Sequence, residues 1–260
     1  MLGAIQGVTE FLPISSSGHL ILARHLLGIQ QEAQVAFTFD VIIQLGTWLA
    51  VMIYYWADIR AIAADMWAGL RGQPGPLARL GWMILLATVP AVLIGWPLKD
   101  RMAGEMSGLF FTGVFLLINA GLMLLAEWVG KRSRQLADAN LNDALLVGLA
   151  QAAALLPAVS RSAATMAGGM LQNFTRRDAA RFAFLMSVPV MPAAAAVGFW
   201  DLGHLPNPGA LGLPLLGGFL VAALVGYFSI RWLLGYLSRN SFMPFAVYCI
   251  VLGSLVLYFS

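Results

Sequence analysis

The 260-residue chain is 60% hydrophobic and only 10% charged, and its formal net charge is +3 at neutral pH. Soluble domains carry about 25% charged residues, so the composition excludes that class and indicates a membrane protein. The basic residues lie mainly in short loops between apolar runs, which fits membrane topology better than a nucleic-acid partner. The only cysteine, Cys249, lies inside an apolar run, so the chain cannot form an internal disulfide.

Six apolar runs are long enough to cross a bilayer, which takes about 20 helical residues. The predicted spans are 37–56, 80–98, 107–127, 179–200, 210–237 and 242–259. The first apolar residues follow no basic segment and precede no small-residue cleavage site, so we expect no cleavable signal peptide.

Two other apolar stretches, 2–27 and 144–172, are broken by polar residues. Pro13 and three serines interrupt the first stretch, while Pro157 and a serine-flanked Arg161 interrupt the second. Each half is too short to span a membrane, which predicts two re-entrant helix–loop–helix pairs. Non-helical backbone at membrane depth is tolerated only inside protein or beside a wet cavity, so both breaks should point inward.

The order of a broken pair, three spans, a broken pair and three spans predicts an all-α polytopic membrane protein. Because three is odd, the second unit is turned upside down, giving an inverted repeat of residues 1–138 and 139–260. The repeat is also indicated by a Leu-Pro pair, ending at Pro13 and at Pro157, with a serine three residues later in each case.

Basic residues distinguish the two faces of the membrane. One predicted face receives eleven Lys and Arg residues and the other receives three, while the fifteenth, Arg161, lies in the second break. The positive-inside rule makes the richer face cytoplasmic. Both termini and the mouth of the first pair are then expected outside.

The first break has the features of an anion site. Gln6 and Glu10 share one helix face at spacing i, i+4. The serines after Pro13 are good N-caps for a helix beginning near His19, whose free N–H groups and positive dipole end attract anions. These serines are Ser15, Ser16 and Ser17.

The second break repeats this pattern. Ser160 and Ser162 can cap the next half-helix, Arg161 offers a forked cation suited to phosphate oxygens, and Thr165 lies one turn inside. Two such helix N-termini predict a polyanionic ligand. Glu10 calls for a divalent cation that bridges it to phosphate.

Each of these side chains also has an ordinary structural interpretation. Serine and threonine hydroxyls in membrane helices often bond only backbone or neighbouring helices. His19 could be a hydrogen-bonded interior histidine, and Glu10 and Arg161 could simply pair with each other. Ionisable groups at membrane depth are nevertheless costly and usually functional, which favours a site.

The segment from Gln6 to Leu20 closely resembles the first motif of the bacterial undecaprenyl-diphosphatases associated with bacitracin resistance. The segment from Pro157 to Thr165 resembles their second motif, although the family usually has glycine where Ala158 stands. Since glycine adopts positive φ easily and alanine does not, the backbone at Ala158 is a point of interest. The resemblance extends over the whole chain.

The resemblance implies an enzyme of the bacterial inner membrane with a site open to the periplasm. It would hydrolyse undecaprenyl diphosphate, recycle the lipid carrier of peptidoglycan synthesis and use Mg²⁺ or Ca²⁺. The implied catalytic residues are Glu10, Ser16, His19 and Arg161. In substrate binding the resemblance implies Gln6, Ser160 and Thr165, and the two breaks themselves add Ser15, Ser17 and Ser162. Glu10, with Gln6 in place of a second carboxylate, is the implied metal ligand.

Several alternatives stay open. Ser16 is the favoured nucleophile with His19 as acid or base, but His19 or an activated water could attack instead. A transporter or flippase of polyprenyl phosphate or another anion is the rival function, because inverted repeats with broken helices are typical of transporters. The expected partners are the lipid substrate and membrane lipid, and a homodimer is compatible with the sequence.

Overall fold

The computed structural model of the chain describes residues 1–105, 108–155, 158–204 and 212–260. Within these ranges the protein consists of eleven α-helices and one short 3-10 helix, and it has no β-strand. In chain order the helices are α1 (Leu2–Thr9), α2 (Ser16–Leu26), α3 (Ala33–Tyr54), α4 (Trp56–Leu70), α5 (Ala78–Glu105), α6 (Leu109–Val129), α7 (Leu141–Ala153), α8 (Arg161–Leu171), α9 (Arg176–Gly203), α10 (Gly212–Leu237) and α11 (Met243–Phe259), with the 3-10 helix at Leu136–Asp138 between α6 and α7.

The described helices confirm an all-α membrane protein. Four segments are long and apolar enough to cross a bilayer, namely Gln34–Tyr54, Leu109–Val129, Arg176–Trp200 and Gly212–Leu237. The two remaining predicted spans correspond to shorter apolar helices, Ala78–Ile94 at the start of α5 and Met243–Phe259. The total of six spans therefore stays a prediction.

Both broken stretches contain two short helices. The first contains the eight-residue α1 and the eleven-residue α2, and the second contains the thirteen-residue α7 and the eleven-residue α8. Pro157, predicted to break the second stretch, lies outside the described residues. One element was not predicted, since the loop after α3 contains the fifteen-residue helix α4.

Small residues allow the short paired helices to pack closely on the longer ones. A Cβ atom added to Gly7 of α1 would lie 3.0 Å from the Ala222 oxygen and from the Gly226 nitrogen of α10. Likewise, one added to Gly148 of α7 would lie 2.6 Å from the Ala87 oxygen of α5. Helix association in membranes depends on such close approach.

Helix α9 contains two internal prolines, Pro189 and Pro192. Pro192 has no N–H to bond the Val188 carbonyl one turn earlier. The indole N–H of Trp48 on α3 donates to that carbonyl at 3.1 Å instead. The proline is therefore tolerated because a neighbouring helix satisfies the freed backbone group.

Candidate functional site

The carboxylate of Glu10, just after the end of α1, joins the two breaks. Its Oε2 accepts hydrogen bonds from the Gln6 amide at 2.9 Å and from the Ser16 hydroxyl at 2.7 Å. Its Oε1 accepts from the Gln44 amide at 3.1 Å and forms an ion pair with Arg161. The Glu10 side chain is 4% exposed and that of Arg161 is 23% exposed, so the pair lies near an opening.

The first break is shaped by Ser15, which caps α2. Its Oγ accepts the Gly18 N–H at 3.2 Å, and its φ is 74°. An L-residue adopts such a φ only when the surroundings hold it. Ser17 is exposed, and its hydroxyl lies 3.4 Å from that of Ser15. The cap leaves Ser16 as the first residue of α2, with its hydroxyl on Glu10.

The second break is shaped in the same way. Ser160 caps α8, because its Oγ accepts the Ala163 N–H at 3.1 Å. The Ser160 and Ser162 hydroxyl oxygens are 3.0 Å apart, and Ser162 donates to the Leu12 carbonyl of the first break at 3.1 Å. Arg161 is then the first residue of α8. Both half-helices thus direct their first side chain to Glu10, near the positive ends of two helix dipoles.

Asn119 of α6 bonds the backbone of the second break on both sides. Its amide Nδ2 donates to the Ala158 carbonyl at 3.3 Å, and its Oδ1 accepts the Ser160 N–H at 3.0 Å. Ala158, whose carbonyl makes the first of these contacts, has a φ of 60°. The concern that alanine stands where positive φ is needed is therefore confirmed.

Both ring nitrogens of His19 are bonded to groups other than the Glu10 carboxylate. Its Nδ1 lies 2.7 Å from the Ser15 carbonyl oxygen, and its Nε2 lies 2.7 Å from the hydroxyl of Tyr248 on α11. Since a carbonyl only accepts, Nδ1 carries the proton and Nε2 of the neutral ring accepts from the phenol. The two rings are also stacked, with centroids 5.7 Å apart.

Comparison with known proteins now identifies the family. The model of the family described as bacitracin resistance protein BacA matches residues 1–255. The chain belongs to this family.

Several relatives in this family carry the name undecaprenyl-diphosphatase. One from Micrococcus luteus is 40% identical, over 98% of this chain and 94% of the relative. Others, from Rubrobacter xylanophilus and Anaeromyxobacter dehalogenans (strain 2CP-C), are 41% and 42% identical over 98% of this chain and cover 95% and 88% of their own lengths.

The structure brings most of the residues predicted for this family member into one network. Gln6, Glu10, Ser16 and Arg161 are in direct contact, and Ser162 ties the two breaks together. Ser15 and Ser160 are the two helix caps. Gln44 of α3 also joins this network through Glu10.

Two of the predicted site residues have other contacts. The Thr165 hydroxyl donates to the Arg161 carbonyl of its own helix at 2.7 Å, which is the ordinary bond of a helical threonine. His19 bonds Ser15 and Tyr248 and has no hydrogen bond to Ser16. The Ser16 hydroxyl therefore donates its hydrogen bond to Glu10 and not to His19.

The donor set restricts how a divalent cation would be held. The described residues contain no group of three or more His, Cys, Asp or Glu side chains that could form a metal site. Glu10 is the one carboxylate in the network, and all four of its contacts are with hydrogen-bond donors. These residues fit a cation such as Mg²⁺, which needs one or two carboxylates and takes its other ligands from substrate phosphates and water.

Two residues of the site were missed from the sequence. Asn119 lies within an apolar span, where a single buried amide is a signal of a specific polar contact. Tyr248 is in the last predicted span and contacts His19, which lies 229 residues earlier in the chain. No local sequence pattern indicates this contact. Tyrosine is common at membrane interfaces, so its presence alone carried no information.

Proposed function

We propose that this protein is an undecaprenyl-diphosphatase, which releases inorganic phosphate from undecaprenyl diphosphate and so recycles the lipid carrier of peptidoglycan synthesis. The observation that carries the proposal is the Glu10 carboxylate, shared between the Arg161 guanidinium and the Ser16 hydroxyl. This arrangement joins a phosphate-binding cation to a hydroxyl nucleophile and its base. Family membership and the names of the relatives support the same reaction.

Substrate binding follows from competition for Arg161. Without substrate, Arg161 is paired with Glu10. A diphosphate offers several oxygens to a planar, forked guanidinium and binds it with two parallel hydrogen bonds. The N-termini of α2 and α8 add partial positive charge at the same place. We expect Arg161 to move from Glu10 to the terminal phosphate when the lipid binds.

That exchange prepares Ser16 for attack. Glu10 loses the guanidinium and keeps the Ser16 hydroxyl at 2.7 Å, so its carboxylate becomes a better acceptor for that proton. The Ser16 oxygen forms a bond to the terminal phosphorus, its proton passes to Glu10, and the bond to the bridging oxygen breaks. Undecaprenyl phosphate leaves. Water then attacks the phosphoserine, which releases inorganic phosphate and restores Ser16.

The remaining groups of the network keep Glu10 in place and the site polar. Gln6 and Gln44 each donate one amide hydrogen to its carboxylate. Glu10, with the amide oxygen of Gln6, would hold Mg²⁺ or Ca²⁺ together with the substrate phosphates. When bound, such a cation neutralises charge on the transferred phosphoryl group. His19 is placed to exchange a proton on its Nε2 side.

We further propose that the site opens to the periplasmic side of the inner membrane and that the fold is an inverted repeat. The helix packing supports the repeat, because α1 of the first half packs on α10, while α7 of the second half packs on α5. The two pairs that would cross the pseudo-two-fold axis, α3 with α9 and α6 with α11, are also in contact.

The symmetric packing is also compatible with a second activity, transport of the lipid. An inverted repeat around a central polar site would let the lipid phosphate reach either leaflet. Glu10→Ala protein in liposomes should be tested for movement of undecaprenyl phosphate between leaflets. Movement equal to that in protein-free liposomes would rule out this second activity.

The proposed reaction is tested with purified protein in detergent. We expect phosphate release from undecaprenyl diphosphate that stops with excess chelator and returns with Mg²⁺ or Ca²⁺. Two further measurements distinguish the candidate nucleophiles. Ser16→Ala should lose phosphate release in the same assay. An acid quench of the wild type during turnover should trap a phosphoserine. A trapped phosphohistidine, or full activity of Ser16→Ala, would exclude Ser16. No release from folded wild type would refute the function.

Cross-linking in membranes would test for a homodimer.

A further inference from the structure

Among the residues that the structure describes, Asn119 is the side chain of α6 that hydrogen-bonds to the second break. The residue is 0% exposed. Its Nδ2 and Oδ1 reach Ala158 O at 3.3 Å and Ser160 N at 3.0 Å, so both ends of the amide are used on a single turn of backbone. A buried amide at membrane depth is costly unless its partners need it.

The backbone at the first of those two contacts needs support. Ala158 is 1% exposed and has a φ of 60°, in a region where an L-residue is strained. It packs with Phe115 and Val159 in a small apolar cluster. Water therefore cannot easily replace the hydrogen bonds that Asn119 makes to the Ala158 carbonyl and the Ser160 N–H.

The position of Arg161 depends on this turn. Ser160, held by Asn119 through its N–H, is the cap of α8, and Arg161 is the next residue. A change in the turn would move the start of α8 and with it the guanidinium that reaches Glu10. A displacement of about 1 Å at a positioning group can cost on the order of 100-fold in rate.

We infer that Asn119 is a positioning residue, which holds the strained turn at Ala158 so that Arg161 meets the substrate phosphate. The inference rests on the proposed phosphatase reaction. Asn119 itself touches no reacting atom and acts through Arg161. Its removal should therefore change catalysis in a way that depends on Arg161 and on the strain at Ala158.

The first test measures phosphate release by Asn119→Ala and by Asn119→Leu, which keeps the side-chain volume. We expect kcat/KM to fall roughly 10- to 100-fold in both. The matched control is Ser229→Ala, a buried hydroxyl that bonds only the Val225 carbonyl of its own helix, and it should stay within about twofold of wild type. Wild-type activity in both Asn119 variants, with unchanged melting temperature, would overturn the inference.

Two double variants show whether the effect runs through the turn and Arg161. Adding Ala158→Gly to Asn119→Ala should restore activity several-fold, because glycine adopts φ of 60° without strain, and the same change in wild type should alter the rate little. Adding Asn119→Ala to Arg161→Lys should cost far less than it does alone. Absence of rescue together with fully multiplicative losses would contradict the inference. An inactive wild type would instead refute the proposed phosphatase.

Discussion

Two carboxylates in this protein, Glu10 and Glu127, are each paired with arginine, but their surroundings differ. Glu127, near the end of α6, accepts two hydrogen bonds from the side chain of Arg176, at 2.6 and 2.7 Å, and one from Arg132 at 2.6 Å. The backbone N–H of Phe242 adds another at 2.7 Å. Glu10 has one arginine, and its other donors are two amides and a hydroxyl.

The difference separates a structural ion cluster from a reactive site. The partners of Glu127 come from the ends of three chain segments, and together they fix α6, α9 and the start of α11. The Glu10 pair joins two breaks, where a phosphate can compete for the single arginine and where a hydroxyl can lose its proton. Removing a charge at Glu127 should cost stability, whereas removing one at Glu10 should cost activity.

The largest expected effect on activity comes from replacing Arg161 by alanine. Arg161→Ala should lower kcat/KM for phosphate release by about 10³-fold or more, the usual effect of removing an arginine from phosphoryl transfer. Arg176→Ala, the matched control, should stay within a few-fold of wild type but lose about 2 kcal/mol of stability, because Glu127 keeps only one arginine. Melting temperatures in detergent measure the second effect. Equal losses of activity in both variants would remove the distinction.

Ser16 and Ser17 sharpen the comparison within one turn of α2. Ser16→Ala should reduce phosphate release on the order of 10³-fold, because the proposed nucleophile is lost. Ser17 is exposed and has one long contact to Ser15, so Ser17→Ala should stay within about threefold of wild type. If the two variants behaved alike, the contact between Ser16 and Glu10 would have no catalytic meaning.

Tyr248→Phe tests the group that orients His19. This change keeps the ring and removes the hydroxyl that donates to Nε2 of His19. We therefore expect kcat to fall about tenfold with KM nearly unchanged. Tyr258 is 82% exposed at the end of α11, and Tyr258→Phe should have no effect on either constant. A wild-type kcat in Tyr248→Phe would show that the ring position of His19 does not depend on this contact.

The smallest expected effect concerns Ala158 and bears on stability. Ala158→Gly should stabilise the protein by about 1 kcal/mol, because φ of 60° is strained for alanine and free for glycine. Ala163, in the first turn of α8, is the control, and Ala163→Gly should destabilise by a similar amount. Thermal unfolding of both variants measures the two shifts. A lower melting temperature for Ala158→Gly would argue against strain at this position.

The sequence predicted the parts of this architecture that follow from hydrophobicity and local breaks. Apolar runs identified the membrane helices, and prolines followed by serines identified the two half-helix pairs. Helix α4 was missed because its loop is short of the apolar residues that mark a span. After its first residue, Trp56, it lies in 57–79, for which the sequence predicted only a connection with basic residues.

The sequence predicted which residues form the site, but it predicted fewer of the contacts between them. Glu10, Ser16 and Arg161 were expected together and are in contact. The link between Ser16 and Glu10, and that between His19 and Tyr248, depend on how the turn after α1 directs each side chain, and neither is encoded locally. The role of Asn119 likewise depends on the packing of α6 against α8.

The most direct test of the account compares Glu10→Gln with Glu127→Gln. Both changes keep the side-chain shape and remove one buried charge, and both variants should be assayed for phosphate release from undecaprenyl diphosphate and for melting temperature. We predict that Glu10→Gln remains folded and loses nearly all activity, while Glu127→Gln melts at a lower temperature and keeps its activity per folded molecule. Full activity in Glu10→Gln would contradict the central claim that this carboxylate links substrate binding to the nucleophile.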